Sequence, residues 1–184
     1  QAAILSIDGM GDFVSTLLAA GQGNQLQYFS RTYFPHSLGY LYNAITLYLG
    51  FPAYGDEYKV MGLAPYGEPE YLDAFRQIIF PKDDSFELNL DYFTHHLHGI
   101  AMNWEDGAPH VLPFHSPELE KLFGSMRSPQ AELTAKHHNI AASLQAVTEE
   151  IIFYILNRLH DRCPSENLCL AGGVAMNSVA NGKI

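Results

Sequence analysis

Apolar residues recur along this chain in two rhythms, which predict strands and helices in turn. Ala2-Ala3-Ile4-Leu5-Ser6-Ile7 is a short, nearly continuous apolar run and reads as a buried strand. Phe13–Ala20 and Gln25–Thr32 read as two further strands, with Gly21-Gln22-Gly23-Asn24 as the hairpin between them. After Pro35, Leu38, Leu41, Ile45 and Leu49 recur at helical spacing. Ser37–Leu49 is therefore expected to be a helix, with Ser37 as N-cap and Gly50 as terminator. Pro69–Ile79 reads as a helix and Ser85–Tyr92 as a strand or hairpin. Thr94–Pro129 breaks into short pieces rich in Pro, Gly and His, the pattern of an insertion. From Glu132 to His160 the residues Ile140, Leu144, Val147, Ile151, Ile155 and Leu159 mark one buried face of a long helix, with Glu149 on the exposed side. Pro164 stops that helix. Asn167–Ala171 then reads as a buried strand, Gly172-Gly173 as a tight turn, and Val174–Lys183 as the start of a helix.

Composition narrows the classes this pattern allows. The 184 residues are 47% hydrophobic, enough for a real core, and no apolar run reaches the roughly 18 residues of a membrane span. Ten basic against twenty acidic side chains give a net charge of −10, which repels phosphate backbones and disfavours nucleic-acid binding. Cys163 and Cys169 are too few for a disulfide framework, and Cys169 inside the last apolar run reads as a buried thiol, so a reduced, cytoplasmic setting is expected. The chain opens within a strand-like run and stops shortly after a helix start, so it is expected to be an internal fragment of a larger domain.

Three segments could carry chemistry. In Asp8-Gly9-Met10-Gly11-Asp12 a carboxylate ends a buried strand just before glycines that let a ligand approach the backbone, which suits a metal or phosphate; an ordinary β-turn has the same composition. In Leu168–Asn177 a strand runs through Gly172-Gly173 into a helix, a geometry that gathers backbone N–H groups at one spot and holds anions, with Asn177 expected in the first helical turn; simple punctuation reads the same way. In Gly55–Gly67, Lys59 stands among apolar and glycine neighbours, either as a point charge for an anion or as a snorkelling surface lysine. Of nine histidines, the His95, His96 and His98 group lacks a ligand spacing with a carboxylate partner and reads as part of the insertion, whereas His36, just before a helix start, is kept as a site candidate.

Taken together, Ser6–Asp12, His36-Ser37-Leu38-Gly39, Glu57–Gly67, Asn139–Gln145 and Leu168–Asn181 resemble, in order and spacing, the blocks of the carbamoyltransferase family of nodulation protein U and the cephalosporin and tobramycin O-carbamoyltransferases, itself related to the universal tRNA threonylcarbamoyl transferase. The resemblance implies an α/β chain of the actin-like ATPase (ribonuclease-H-like) fold, present in part. It implies transfer of a carbamoyl group to a hydroxyl acceptor from carbamoyl-adenylate, made elsewhere in the protein from carbamoyl phosphate and ATP. It implies a divalent metal, commonly iron, held by two histidines in a block preceding Gln1 and two aspartates, of which Asp8 matches one and the other lies past Ile184. On this reading Asp8 and Lys59 are catalytic, Gly9, Gly11, Gly172, Gly173 and Asn177 hold the adenylate, and His36 and Glu57 meet substrate. The isolated chain is expected to be inactive, its partners being small molecules and the remaining parts of the parent protein. A sugar- or acetate-kinase-like phosphotransferase of the same superfamily, or a non-catalytic nucleotide-binding module, are the alternatives.

Overall fold

In the computed structural model, which describes residues 1–184, the first apolar run forms β1 (Ala2–Ile7), with alternate residues Ala3, Leu5 and Ile7 buried. β2 (Val14–Gln22) and β3 (Gln25–Tyr33) follow as an antiparallel hairpin closed at Gly23-Asn24, where Gly23 takes φ +60°. Ser37 then caps α1 (Leu38–Tyr48), its Oγ accepting from the Tyr40 amide at 3.1 Å. Gly50, at φ +80°, follows the helix as expected of a C-terminal glycine.

The chain continues through α2 (Glu57–Leu63), a 3-10 turn over Ala64–Tyr66, and α3 (Leu72–Ile78). Helix α3 is shorter than the sequence suggests, because Ile79 already belongs to β4 (Ile79–Lys82), which pairs with β5 (Ser85–Leu88). Pro81 obscures β4 in the sequence. Within Thr94–Pro129 lie α4 (His95–His98), the hairpin of β6 (Met102–Glu105) and β7 (Ala108–Val111), and α5 (Pro117–Phe123). That hairpin turns on Asp106-Gly107 with both residues at positive φ, the geometry that an Asp-Gly pair favours.

The long helix is α6 (Ala135–Arg162). Thr134 precedes it, and the His137 ring Nδ1 accepts from the Thr134 amide at 3.0 Å, so a histidine takes the part that Glu or Gln usually plays toward that amide. All six stripe residues from Ile140 to Leu159 are buried. Glu149 departs from expectation: its side chain is only 13% exposed and pairs with Lys183 at 2.5 Å. Finally β8 (Leu168–Ala171) pairs parallel to β1, Ala3 opposite Leu168 and Ser6 opposite Ala171, giving a mixed α/β chain whose main sheet has the order β3-β2-β1-β8.

Two corrections concern this last segment. An apolar run is a buried strand only when both faces are covered. The faces of strand β8 lack that cover, so Leu168 is 37% exposed and Cys169 is exposed rather than buried. The helix expected over Val174–Lys183 is broken into a 3-10 turn, Val174–Met176, and the single turn α7 (Ser178–Asn181).

The chain divides into two units. The first holds residues 1–40, 79–88 and 148–184; the second holds 41–78 and 89–147. In the second, the rings of Tyr48, Tyr71, Phe75 and Phe123 pack edge-on and tilted, with Leu41, Ile45 and Leu144 fully buried. No helix is long and apolar enough to cross a membrane.

Candidate functional site

Asp8 sits immediately after β1, and the first unit grips it from four directions. Its amide donates to the Ser15 carbonyl on β2 at 2.8 Å. Its own carbonyl accepts from Ser37 Oγ at 3.2 Å. Its carboxylate Oδ1 accepts from the Gly9 amide at 2.8 Å and from the Gly173 amide at 3.2 Å. A side chain so determined has one orientation, the condition for a group that must meet a ligand at fixed geometry.

Two of the glycines around this carboxylate, Gly11 and Gly172, leave no room for a side chain. A Cβ on Gly172, at φ +96°, would overlap the Ile7 carbonyl; on Gly173 it would lie 3.2 Å from Asp8 Oδ1. Gly11, at φ +54°, could not carry a Cβ without striking the Val14 carbonyl. Asp12 and Phe13 continue in the left-handed region at φ 52° and 72°, where a bulky residue such as Phe13 is held only against strain. The sequence places Phe13 in a strand; the structure makes it the end of a strained turn, with β2 beginning at Val14. The Phe13 ring meets Phe34 edge-on, and Phe34 meets Tyr40, whose ring lies beside Gly9.

The Gly172-Gly173 turn follows a strand, as expected, and its Gly173 amide is already taken by the Asp8 carboxylate. Asn177 is not within the first turn of a helix. It is the N-cap of α7, with Oδ1 accepting from the Ala180 amide at 3.0 Å. The break at Asn177 follows from the preference of Asn for caps over helix interiors.

His36 is anchored in the same unit. Its Nδ1 accepts from the Leu88 amide at 3.1 Å, which fixes the neutral tautomer with the proton on Nε2. Burial lowers its pKa, against an opposing pull from Glu87.

In the second unit, Glu57 opens α2 and its carboxylate accepts from Asn43 Nδ2 at 2.7 Å. Lys59 pairs with Asp56 at 2.7 Å and lies near the rings of Phe51 and Tyr58. The hydrogen bond to Asp56 raises the lysine pKa. The end of the Glu57–Gly67 string is pinned to α6. A Cβ on Gly67 would overlap the His138 carbonyl, and Asn139 accepts from the Glu68 amide at 2.9 Å while donating to Glu70 at 2.7 Å.

The His95 ring is buried between Phe93 and Phe114. No three His, Cys, Asp or Glu side chains converge in a set that could hold a metal ion. Asp8 offers one carboxylate, and that alone does not make a metal centre.

Two residues at Asp8 escaped the sequence reading as site residues, Ser37 and Gly39. The available signal was Gly39 itself, a glycine in the first turn of an apolar helix where propensity gives it no reason to be.

A sequence model for the family described as carbamoyltransferase N-terminus matches residues 1–184. The chain is 43% identical over its whole length to the uncharacterized protein sll1178 of Synechocystis, covering 28% of that protein. It is 36% identical over its whole length to nodulation protein NolNO of Sinorhizobium fredii and, again at 36%, to nodulation protein NolO of Bradyrhizobium diazoefficiens, covering 24% and 30% of them. The chain therefore spans less than a third of the length of each of these relatives.

Proposed function

Because the chain belongs to the carbamoyltransferase N-terminus family, we propose that it is part of the transfer domain of an O-carbamoyltransferase, with Asp8 as its central functional carboxylate. The observation that carries this reading is the Asp8 grip: one carboxylate, oriented by two backbone amides, at the end of a strand and ringed by glycines. The sheet order β3-β2-β1-β8, a meander extended by a parallel strand, supports the actin-like fold, with Thr94–Pro129 as an insertion in it.

In the proposed reaction the acceptor hydroxyl oxygen bonds to the carbamoyl carbon of carbamoyl-adenylate, its proton passes to water, and the bond from that carbon to the phosphate oxygen breaks so that AMP leaves. Lys59, in the second unit, is held by Asp56 and is assigned a catalytic role as a cation toward an anionic group. Gly9, Gly11, Gly172 and Gly173 are assigned to the adenylate, and their missing side chains let the two turns close around Asp8. Glu57 and His36 have roles toward substrate, with the His36 Nε2–H as the donor left by its tautomer. The residues of this chain do not by themselves fit a metal, and no step is routed through one.

The test uses the full-length protein with carbamoyl phosphate, ATP and a panel of hydroxyl acceptors, following carbamoylated product by mass. Asp8→Asn should abolish product while leaving the fold intact. Transfer of the ATP γ-phosphate to the acceptor, without carbamoylation, would instead establish the kinase reading.

A further inference from the structure

The peptide that links Asp8 to Gly9 has both of its polar ends in use. Its carbonyl, on Asp8, accepts from Ser37 Oγ at 3.2 Å, and its N–H, on Gly9, donates to Asp8 Oδ1 at 2.8 Å. A peptide unit is planar, so whatever sets the direction of the carbonyl also sets the direction of the N–H. Ser37, which is fully buried, therefore acts on the Asp8 carboxylate through a rigid plate. The same hydroxyl accepts from the Tyr40 amide at 3.1 Å, so the plate is referenced to the first turn of α1. Gly39 lies against the same plate: a Cβ there would stand 2.8 Å from Gly9 Cα, 2.9 Å from Gly9 N and 3.1 Å from the Asp8 carbonyl carbon.

We propose that Ser37 is a positioning residue for the Asp8 carboxylate, acting through the Asp8–Gly9 peptide, and that Gly39 leaves the room this contact requires. The inference rests on the reading of Asp8 as the functional carboxylate. It gives Ser37 two separable tasks, a helix cap and an alignment of Asp8. Turning the plate would withdraw the Gly9 amide from Oδ1 and leave it the Gly173 amide.

The experiment compares Ser37→Ala, Ser37→Thr and Gly39→Ala in the full-length protein. Ser116→Ala is the control, since Ser116 caps α5 by accepting from the Glu118 amide at 3.2 Å and lies in the other unit. Ser37→Ala and Gly39→Ala are expected to lower kcat by about tenfold or more, with acceptor KM little changed, while Ser37→Thr, which keeps the hydroxyl, stays near wild type. Ser116→Ala should lose comparable thermal stability and keep kcat. Independently of activity, hydrogen exchange in peptides spanning Gly9 and Gly173 should accelerate in Ser37→Ala and Gly39→Ala but not in Ser116→Ala. Should Ser37→Ala fail to fold, Ser37→Cys, close in size with a weaker donor, carries the same comparison. Unchanged exchange at Gly9 and Gly173 overturns the proposal, as does a kcat loss matched by Ser116→Ala. Asp8→Asn measured alongside judges the underlying reading separately: retained transfer there would dismiss Asp8 while the exchange data still decide whether Ser37 aligns it.

Discussion

The Gly173 amide donates to Asp8 Oδ1 at 3.2 Å, so the turn after β8 is bonded directly to the carboxylate that follows β1. Its two glycines carry different burdens. Gly172 needs both its φ of +96° and the absence of a Cβ beside the Ile7 carbonyl, whereas Gly173, at φ −63°, has only Asp8 Oδ1 near the missing Cβ. Gly172→Ala should therefore cost about 1–3 kcal/mol or more from backbone strain and overlap, and Gly173→Ala much less. Chemical denaturation of the full-length protein checks this, and equal losses would contradict it.

Gly173→Val should disturb Asp8 without unfolding the chain. In the full-length protein it is expected to weaken binding of adenylate analogues at least tenfold, or about 1.4 kcal/mol. Gly107→Asn is the control, because Gly107 turns the β6–β7 hairpin at φ +80°, a conformation Asn tolerates, with no atom near its Cβ position. Calorimetric titration reads both variants; wild-type affinity in folded Gly173→Val would remove the adenylate from this turn.

Gly62 and Gly67 should respond to alanine with opposite signs. Gly62 is exposed within α2 with no neighbour near its Cβ position, so Gly62→Ala should stabilise by about 0.4–1 kcal/mol. Gly67 faces the His138 carbonyl and the Asn139 amide, and Gly67→Ala must push two backbone segments apart. A loss of at least about 2 kcal/mol is expected there, and thermal unfolding of the pair gives the answer.

How much of this was open to sequence reasoning depended on distance along the chain. The helical stripe of α6, the Ser37 cap and the Gly23-Asn24 hairpin all follow from spacing within one element, and all three are present. Ile151→Ala should accordingly cost about 2–5 kcal/mol, against about 0.5 kcal/mol or less for exposed Asn157→Ala. The misreadings needed tertiary information. Glu149 reads as exposed because Lys183 is 34 residues away, and Cys169 reads as buried because nothing local shows that the faces of β8 are uncovered. Within the site, the motif exposed Asp8 and its glycines, but Ser37 looked like a helix cap alone, since its second bond reaches back 29 residues.

Three histidines give stability a definite pH dependence. Burial lowers the pKa of His36, His115 and His137, so the folded state favours neutral imidazole more than the unfolded chain does. Below about pH 6.5, the ordinary imidazole value, the unfolded chain takes up protons that the folded state still refuses. Stability should then be full above that value and fall as pH drops toward the lowered folded values. His36→Asn should flatten part of this fall in a series of thermal melts between neutral and mildly acid pH; an unchanged slope would show that His36 is not among its sources.

The guanidinium of Arg127 is buried and bonds to four backbone carbonyls, those of Leu49, Gly50, Pro129 and Ala131, with no carboxylate among them. Its consequence is one of order in time. The Leu49 and Arg127 partners are 78 residues apart, so the bond between them closes a long loop, whose entropy must be met before the contact returns anything. The end of α1 can form from its own neighbours, whereas the stretch from Arg127 to Ala131 reaches its final path only once that end exists. Folding in the second unit should therefore close this link late, the Arg127 guanidinium, whose five donors lysine cannot replace, acting beside the Arg127 amide that donates to the Tyr48 carbonyl.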